Sequence, residues 1–518
     1  MTIQKLAGAI LVGVPLLAHG QTAPDDLQAM MNRQIELEKQ VREQDARIRE
    51  LERLLKDRLG TNGAGGAAVA PAAEPVAATS AGQQVGTPPV QQVAAPAAVS
   101  IPATPSTGDA PAQQTAATAE APEYIGNLGF KIYEGDKGQI YMRLMAYARY
   151  LNQSGIDPTY TDSFGTVRTI DRREDFQLNK FFLPFSGWFL DPKFRYYLYV
   201  WSTNSAQGDP AQVVGAGNIS YVMNSFATIG LGITSLPGVR STEGQFPYWN
   251  GVDDRLMADE FFRPSYTTGI WLKGAFAPGV NYMAMLGNNM STLGVSASQL
   301  DDTIDTWSVM LNWLPTTKEY GPLGAFGDFE HHEELATRLG VHFTHSTEDR
   351  QQQPGTESIE NTQIRLTDGN VIFTPSLFGP GITVEKVRYQ MASFDAGLKY
   401  RGFALEGEYY RRWLSDFVGP GVAAIDDITD DGYQLQASAM LLPSRLQAYV
   451  GLSEVFGEDF GDASELRFGF NYFPMSMRGL RLNGEWMILD NAPLGYAAFP
   501  YPVGANGDVI NVNFEYNF

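Results

Sequence analysis

The chain of 518 residues contains no cysteine, which excludes a disulfide framework, thiolate metal sites and cysteine nucleophiles. Charge is scarce: 18% of residues are charged, and 58 acidic residues against 37 basic ones give a net charge of −21. So acidic a chain lacks the basic footprint of a general nucleic-acid binder. Long apolar runs are missing too. The N-terminal stretch Leu6 to Ala18 falls short of the ~20 residues that a helix needs to cross a bilayer. No phosphate-binding glycine loop, nucleophile elbow or HExxH helix occurs. Five histidines leave only His342 or His345 for a Ser/His pair, so neither an enzyme nor a cofactor is expected. What the chain does have is glycine (53) and aromatic residues (12%), a mixture suited to strands that alternate between two surroundings.

Lys5, the apolar stretch and Ala18-His19-Gly20 before Gln21 fit an export signal over 1–20. Leu27, Met30, Gln34, Leu37, Val41, Gln44, Ile48, Leu51 and Leu55 then fall on alternating steps of three and four. That is the seam of a coiled coil, expected over 27–59. Residues 60–122 are Ala, Pro, Gln, Thr and Gly with almost no charge, a composition expected to form a disordered linker.

From residue 124 to 518 the pattern changes to turn-bounded alternation. Strands are expected near 139–151, 174–187, 193–204, 217–224, 226–235, 263–276, 280–289 and 303–315. A second set follows near 334–346, 385–401, 403–414, 429–441, 445–456, 463–474, 479–490 and 507–518. The last is the clearest, with Ile510, Val512, Phe514, Tyr516 and Phe518 on one face and Val509, Asn511, Asn513, Glu515 and Asn517 on the other. Short turns at Asp191-Pro192, Asn224-Ser225, Pro278-Gly279, Arg401-Gly402, Leu442 to Ser444 and Met475 to Arg478 alternate with long loops at 152–173, 236–262, 346–384 and 491–506. Sixteen strands with tight turns at one end and long loops at the other predict an all-β, antiparallel transmembrane barrel of the bacterial outer membrane, its coiled coil in the periplasm. The connection 316–333 breaks the rule, being long on the short-turn side.

Three stretches carry a family resemblance: the hairpin Arg173 to Trp201, the segment Phe226 to Arg240 leading to Phe261-Phe262-Arg263, and the terminal Phe518. The first two resemble the phosphate-selective porin O and P family, and Phe518, with aromatic or aliphatic residues at alternate positions before it, resembles the C-terminal signal of outer-membrane porins. The layout with an N-terminal coiled coil is similar to that of the related DcaP-like dicarboxylate porins. The resemblance implies a trimer of sixteen-stranded barrels, each with a third loop folded into its pore and basic residues along the lumen. Acidic residues outnumber basic ones beyond Pro122, a departure from a strictly phosphate-selective lumen.

The third long loop carries Arg240, Asp253, Asp254, Arg255, Asp259 and Glu260, with Arg263 just after. Opposed charges at a constriction set up a field across the pore. Strand parity turns Tyr141, Arg143, Tyr147, Arg149, Lys273, Arg338, Lys399, Arg467 and Arg481 inward, since a charge facing lipid at mid-depth costs ~2–4 kcal/mol. Arg195 sits on a face that its companions Tyr197 and Trp201 leave ambiguous; Glu406, Glu408 and Glu485 oppose the inward cations. His331-His332-Glu333-Glu334 and the acidic group Asp426, Asp427, Asp430 and Asp431 lack the spacing of a metal site, and none is expected. The expected function is passive diffusion of small anionic or polar solutes, phosphate or carboxylates among them. Outer-membrane lipid and lipopolysaccharide are the expected surroundings. The alternative is a barrel that anchors an envelope structure, its coiled coil and linker contacting peptidoglycan.

Overall fold

The computed structural model describes residues 123–518, apart from 127, 204–211, 245–246, 293–299, 301–302, 350–363 and 496–498. The expected signal, coiled coil and linker lie outside the described residues. In chain order the strands are β1 (Tyr124–Ile125), β2 (Gly129–Gly135), β3 (Gly138–Met142), β4 (Met145–Ile156), β5 (Thr159–Thr161), β6 (Val167–Thr169) and β7 (Glu174–Phe189). Next come β8 (Asp191–Thr203), β9 (Gln212–Val222), β10 (Thr228–Ser235), β11 (Tyr266–Ala277), β12 (Val280–Gly287), β13 (Thr306–Trp313) and β14 (Ala336–Glu348). The rest are β15 (Lys386–Tyr400), β16 (Phe403–Val418), β17 (Ile428–Leu442), β18 (Leu446–Gly457), β19 (Ala463–Tyr472), β20 (Leu480–Asp490) and β21 (Gly507–Asn517). One helix, α1 (Met257–Phe262), lies in the third long loop.

Counting β3 and β4 as one wall strand, sixteen antiparallel strands close into a barrel when β21 pairs with β4, Asn513 opposite Arg149. The alternation explains the wall. On β21, Val509, Asn511, Asn513, Glu515 and Asn517 are buried toward the lumen, while Ile510 and Phe514 stay 45% and 48% exposed on the outside. Tight turns follow from backbone preference. Arg401 and Gly402 both take positive φ (50° and 85°), as a two-residue hairpin that follows the sheet twist requires.

Four expectations need correction. The first wall strand is interrupted at Arg143 and Leu144, where the Leu144 amide donates to the terminal Phe518 carbonyl, and beyond the gap it runs on to Ile156. Where β21 ends, β2 takes its place beside β3, so the segment before residue 138 adds a hairpin that alternation had not marked. The turn expected at Asp191-Pro192 is a single residue earlier, at Leu190 (φ 63°), because Pro192 sits at the start of β8, where a missing N–H is tolerated. The loop expected over 152–173 contains the small β5–β6 hairpin.

The core of this molecule is the content of its barrel. Met145, Tyr147, Phe182, Tyr199 and Trp201 from the wall pack with Trp249 and Val252 of the third loop and Phe326 of the long connection after β13. That connection, residues 314–335, therefore does not hang below the barrel as a turn should.

A lumen narrowed from both ends

After β10 the chain turns inward through a short 3-10 turn at Arg240–Glu243, and α1 lies against the wall at β16 to β18. Two wall glycines make the seat. A Cβ at Gly432 would stand 2.4 Å from the Phe262 ring, and one at Gly451 would stand 2.8 Å from Leu256. The Phe262 ring stacks on Tyr410 at 5.2 Å, and the Tyr389 hydroxyl donates to the Phe262 carbonyl at 2.7 Å. The free amides at the start of α1 are also met by the wall: Met257 donates to Glu465 and Ala258 to Ser453, each at 2.7 Å.

Wall arginines hold the rest of the loop by its backbone. Arg481 donates to the carbonyls of Trp249 (2.8 Å), Asn250 (3.2 Å) and Gly251 (2.9 Å). Arg149 reaches Val252 and Arg467 reaches Arg255, both at 3.1 Å. These three arginines thus face inward as parity requires, yet they are covered by the loop instead of lining an open path.

The loop's own charges are paired inside the barrel. Arg240 meets Glu406 at 2.6 Å above the Phe326 ring, and Arg263 meets Glu260 at 2.6 Å. Arg255 shares Glu260 at 3.0 Å and lies 3.9 Å over the Trp249 ring. Asp253 accepts from Lys180 (2.8 Å) and the Tyr147 hydroxyl (2.9 Å), while Asp254 lies 3.2 Å from Arg467. Arg338 bridges Glu243 (2.9 Å) and Asp395, and His342 joins Asp395 (3.0 Å) to the Pro237 carbonyl (2.9 Å). Buried pairs of this kind add little net stability, but removing one partner strands a charge at a cost of ~3–5 kcal/mol.

The connection 314–335 enters from the short-turn end and meets the loop. Lys399 donates to the carbonyls of Tyr320 (2.8 Å) and Ala325 (2.6 Å), and Glu406 accepts from the Gly327 amide at 2.9 Å. Arg240 also reaches the Ala325 carbonyl at 3.3 Å, so one arginine touches wall, loop and connection together. Within the connection, the His332 ring lies between Asp328 and Glu319, and Asp328 accepts from the Gly402 amide at 2.7 Å. No metal-sized cluster of acidic and histidine side chains is present among the described residues.

A chamber of about 860 Å³ lies open along the opposite wall, β7 to β13, rimmed by Pro237, Thr242 and Gly244 of the third loop and by Leu323 of the connection. Arg143, Arg195 and Lys273 line it. The one carboxylate among its described lining residues, Glu243, is bound by Arg338. The Arg195 ambiguity is thereby resolved inward, since its strand partners Tyr199 and Trp201 are buried in the lumen. Of the cations expected to turn inward by strand parity, then, Arg143 and Lys273 line the chamber, and the other loop and wall charges interlock beside it. Sequence reasoning passed over Lys180, Glu243, Asp395 and the lumenal role of 314–335. Parity alone would have placed Asp395, and the length of that connection on the wrong side was its signal.

No protein-family model and no curated protein matches the chain. Among solved structures it is similar to the anion-selective porin from Comamonas acidovorans (12% identity, 74% of this chain and 100% of that one, TM-score 0.45). It is also similar to the outer membrane channel DcaP of Acinetobacter baumannii (9% identity, 74% and 99%, TM-score 0.45). Salmonella typhi OmpF, in complex with daunomycin, gives 12% identity over 75% and 100%, with a TM-score of 0.45. Likenesses this distant transfer neither substrate nor assembly, and the barrel stands on its own strand pairing.

Proposed function

We propose that the chain is a bacterial outer-membrane porin through which small anionic or polar solutes diffuse passively. The chamber carries this reading. It runs along one wall of a closed barrel, and among its described lining residues the cations Arg143, Arg195 and Lys273 stand against one carboxylate, Glu243, already bound by Arg338. Fixed positive charge in a low-dielectric passage raises the local concentration of anions. Phosphate and small carboxylates fall within this class. The barrel would lie in lipid and lipopolysaccharide with its short turns toward the periplasm, and three copies would assemble through their walls, as the family resemblance implies.

The test is conductance of the purified protein in planar bilayers. Stepwise channels with a reversal potential on the anion side in a KCl gradient are expected. Silence removes the porin reading, and a cation-side potential removes the anion preference while leaving the porin. The R195Q/K273Q pair should move the potential toward the cation side.

A further inference from the structure

Strand register places one of the chamber's cations beside two methionines. Thr228 on β10 is opposite Lys273 on β11, Lys273 is opposite Met283 on β12, and Met283 is opposite Met310 on β13. All four line the chamber. Because neighbouring strands lie ~4.8 Å apart, the two thioether side chains stand roughly 5 and 10 Å from the Lys273 position along one row. Lys273 rests its ammonium 5.0 Å over the Trp271 ring, and among the described residues neither it nor Arg195 is ion-paired to a carboxylate. Phosphate would need donors on all sides to replace its water. Polar side chains are spread along this wall, Asn281 and Asn312 among them, but in the row beside Lys273 the next two strands present methionine, a soft surface that adapts to apolar shapes.

We infer that the chamber favours organic monocarboxylates with an aromatic or branched aliphatic body. The carboxylate sits at Lys273 beside the Thr228 hydroxyl, and the body lies along Met283 and Met310. This inference rests on the porin reading and narrows its solutes.

Bi-ionic reversal potentials across a planar bilayer test it, with sodium benzoate on one side and sodium acetate on the other, because the two anions share a headgroup and differ in body. Benzoate should exceed acetate in permeability by about three-fold or more once aqueous mobilities are divided out, and phosphate should fall below both. M283Q/M310Q should bring the benzoate-to-acetate ratio down to the mobility ratio, whereas M283L/M310L should retain the excess. A wild-type ratio equal to the mobility ratio overturns the inference, as does an excess that survives M283Q/M310Q. In both cases stepwise KCl current keeps the porin reading standing; absence of any KCl current removes both together.

Discussion

Lys399 is completely buried, and its ammonium directs hydrogen bonds at two backbone carbonyls, those of Tyr320 and Ala325. Hydrogen bonds to a charged group are each worth ~1.5–3 kcal/mol, so Lys399→Met, which keeps much of the volume and none of the donors, should loosen the 314–335 connection. Single-channel records of that variant are expected to show larger and noisier current steps; steps indistinguishable from wild type would mean that Arg240 and Glu406 hold the connection without it. Gly432 acts by what it lacks. With Phe262 seated 2.4 Å from the missing Cβ, Gly432→Val should push α1 off the wall while leaving β17 in register, since valine is a good strand former. Increased proteolysis between Arg240 and Arg263, with the barrel still resisting denaturation in detergent, is the outcome that supports this.

Among the elements, the outer loops are fastened to one another. Phe164 of the β5–β6 hairpin meets Phe378 and Phe460 at 5.9 Å each, three rings from three different loops. Beneath them Asp162 is buried, which pushes its carboxyl up, but the Thr166 amide, Arg168 and Asn370 outweigh burial and hold it below the usual carboxylate range. A group lowered on folding contributes fully above its unfolded value and loses that contribution as pH falls through the folded one. Protection of the Phe164 and Thr166 amides from hydrogen exchange should therefore persist from neutral pH to ~4 and collapse only below it. Collapse already near pH 6 would point to a different titrating group. The wall was legible in the sequence because lipid and lumen impose a period of two on each strand: Asn511, Asn513 and Glu515 are unmistakable on paper. The filling was not. Arg240 and Glu406 stand 166 positions apart, and only register brings them together. Parity could say that Arg149, Arg467 and Arg481 face inward, but not that loop carbonyls would cover them.

At the scale of the whole molecule, the described residues that line the chamber lie between 128 and 323, within the barrel. Replacing Val41 and Ile48 by Asp, which should abolish association along the seam read at Leu27 to Leu55, is therefore expected to leave single-channel conductance nearly unchanged. A channel that disappears in this variant would make the N-terminal region part of the conducting unit. The closure of the wall has its own consequence. Arg149 on β4 holds Asn513 of β21 and the loop carbonyl of Val252; Arg481 on β20 holds Glu515 of β21 and the neighbouring carbonyls from Trp249 to Gly251. The third loop thus works as a clasp fastened to strands on both sides of β21. The first and last strands cannot unzip hydrogen bond by hydrogen bond, because parting them means expelling the clasp from the lumen at the same moment. Breaking several contacts at one step raises the barrier to opening, and what such a clasp sets is the rate at which the wall parts.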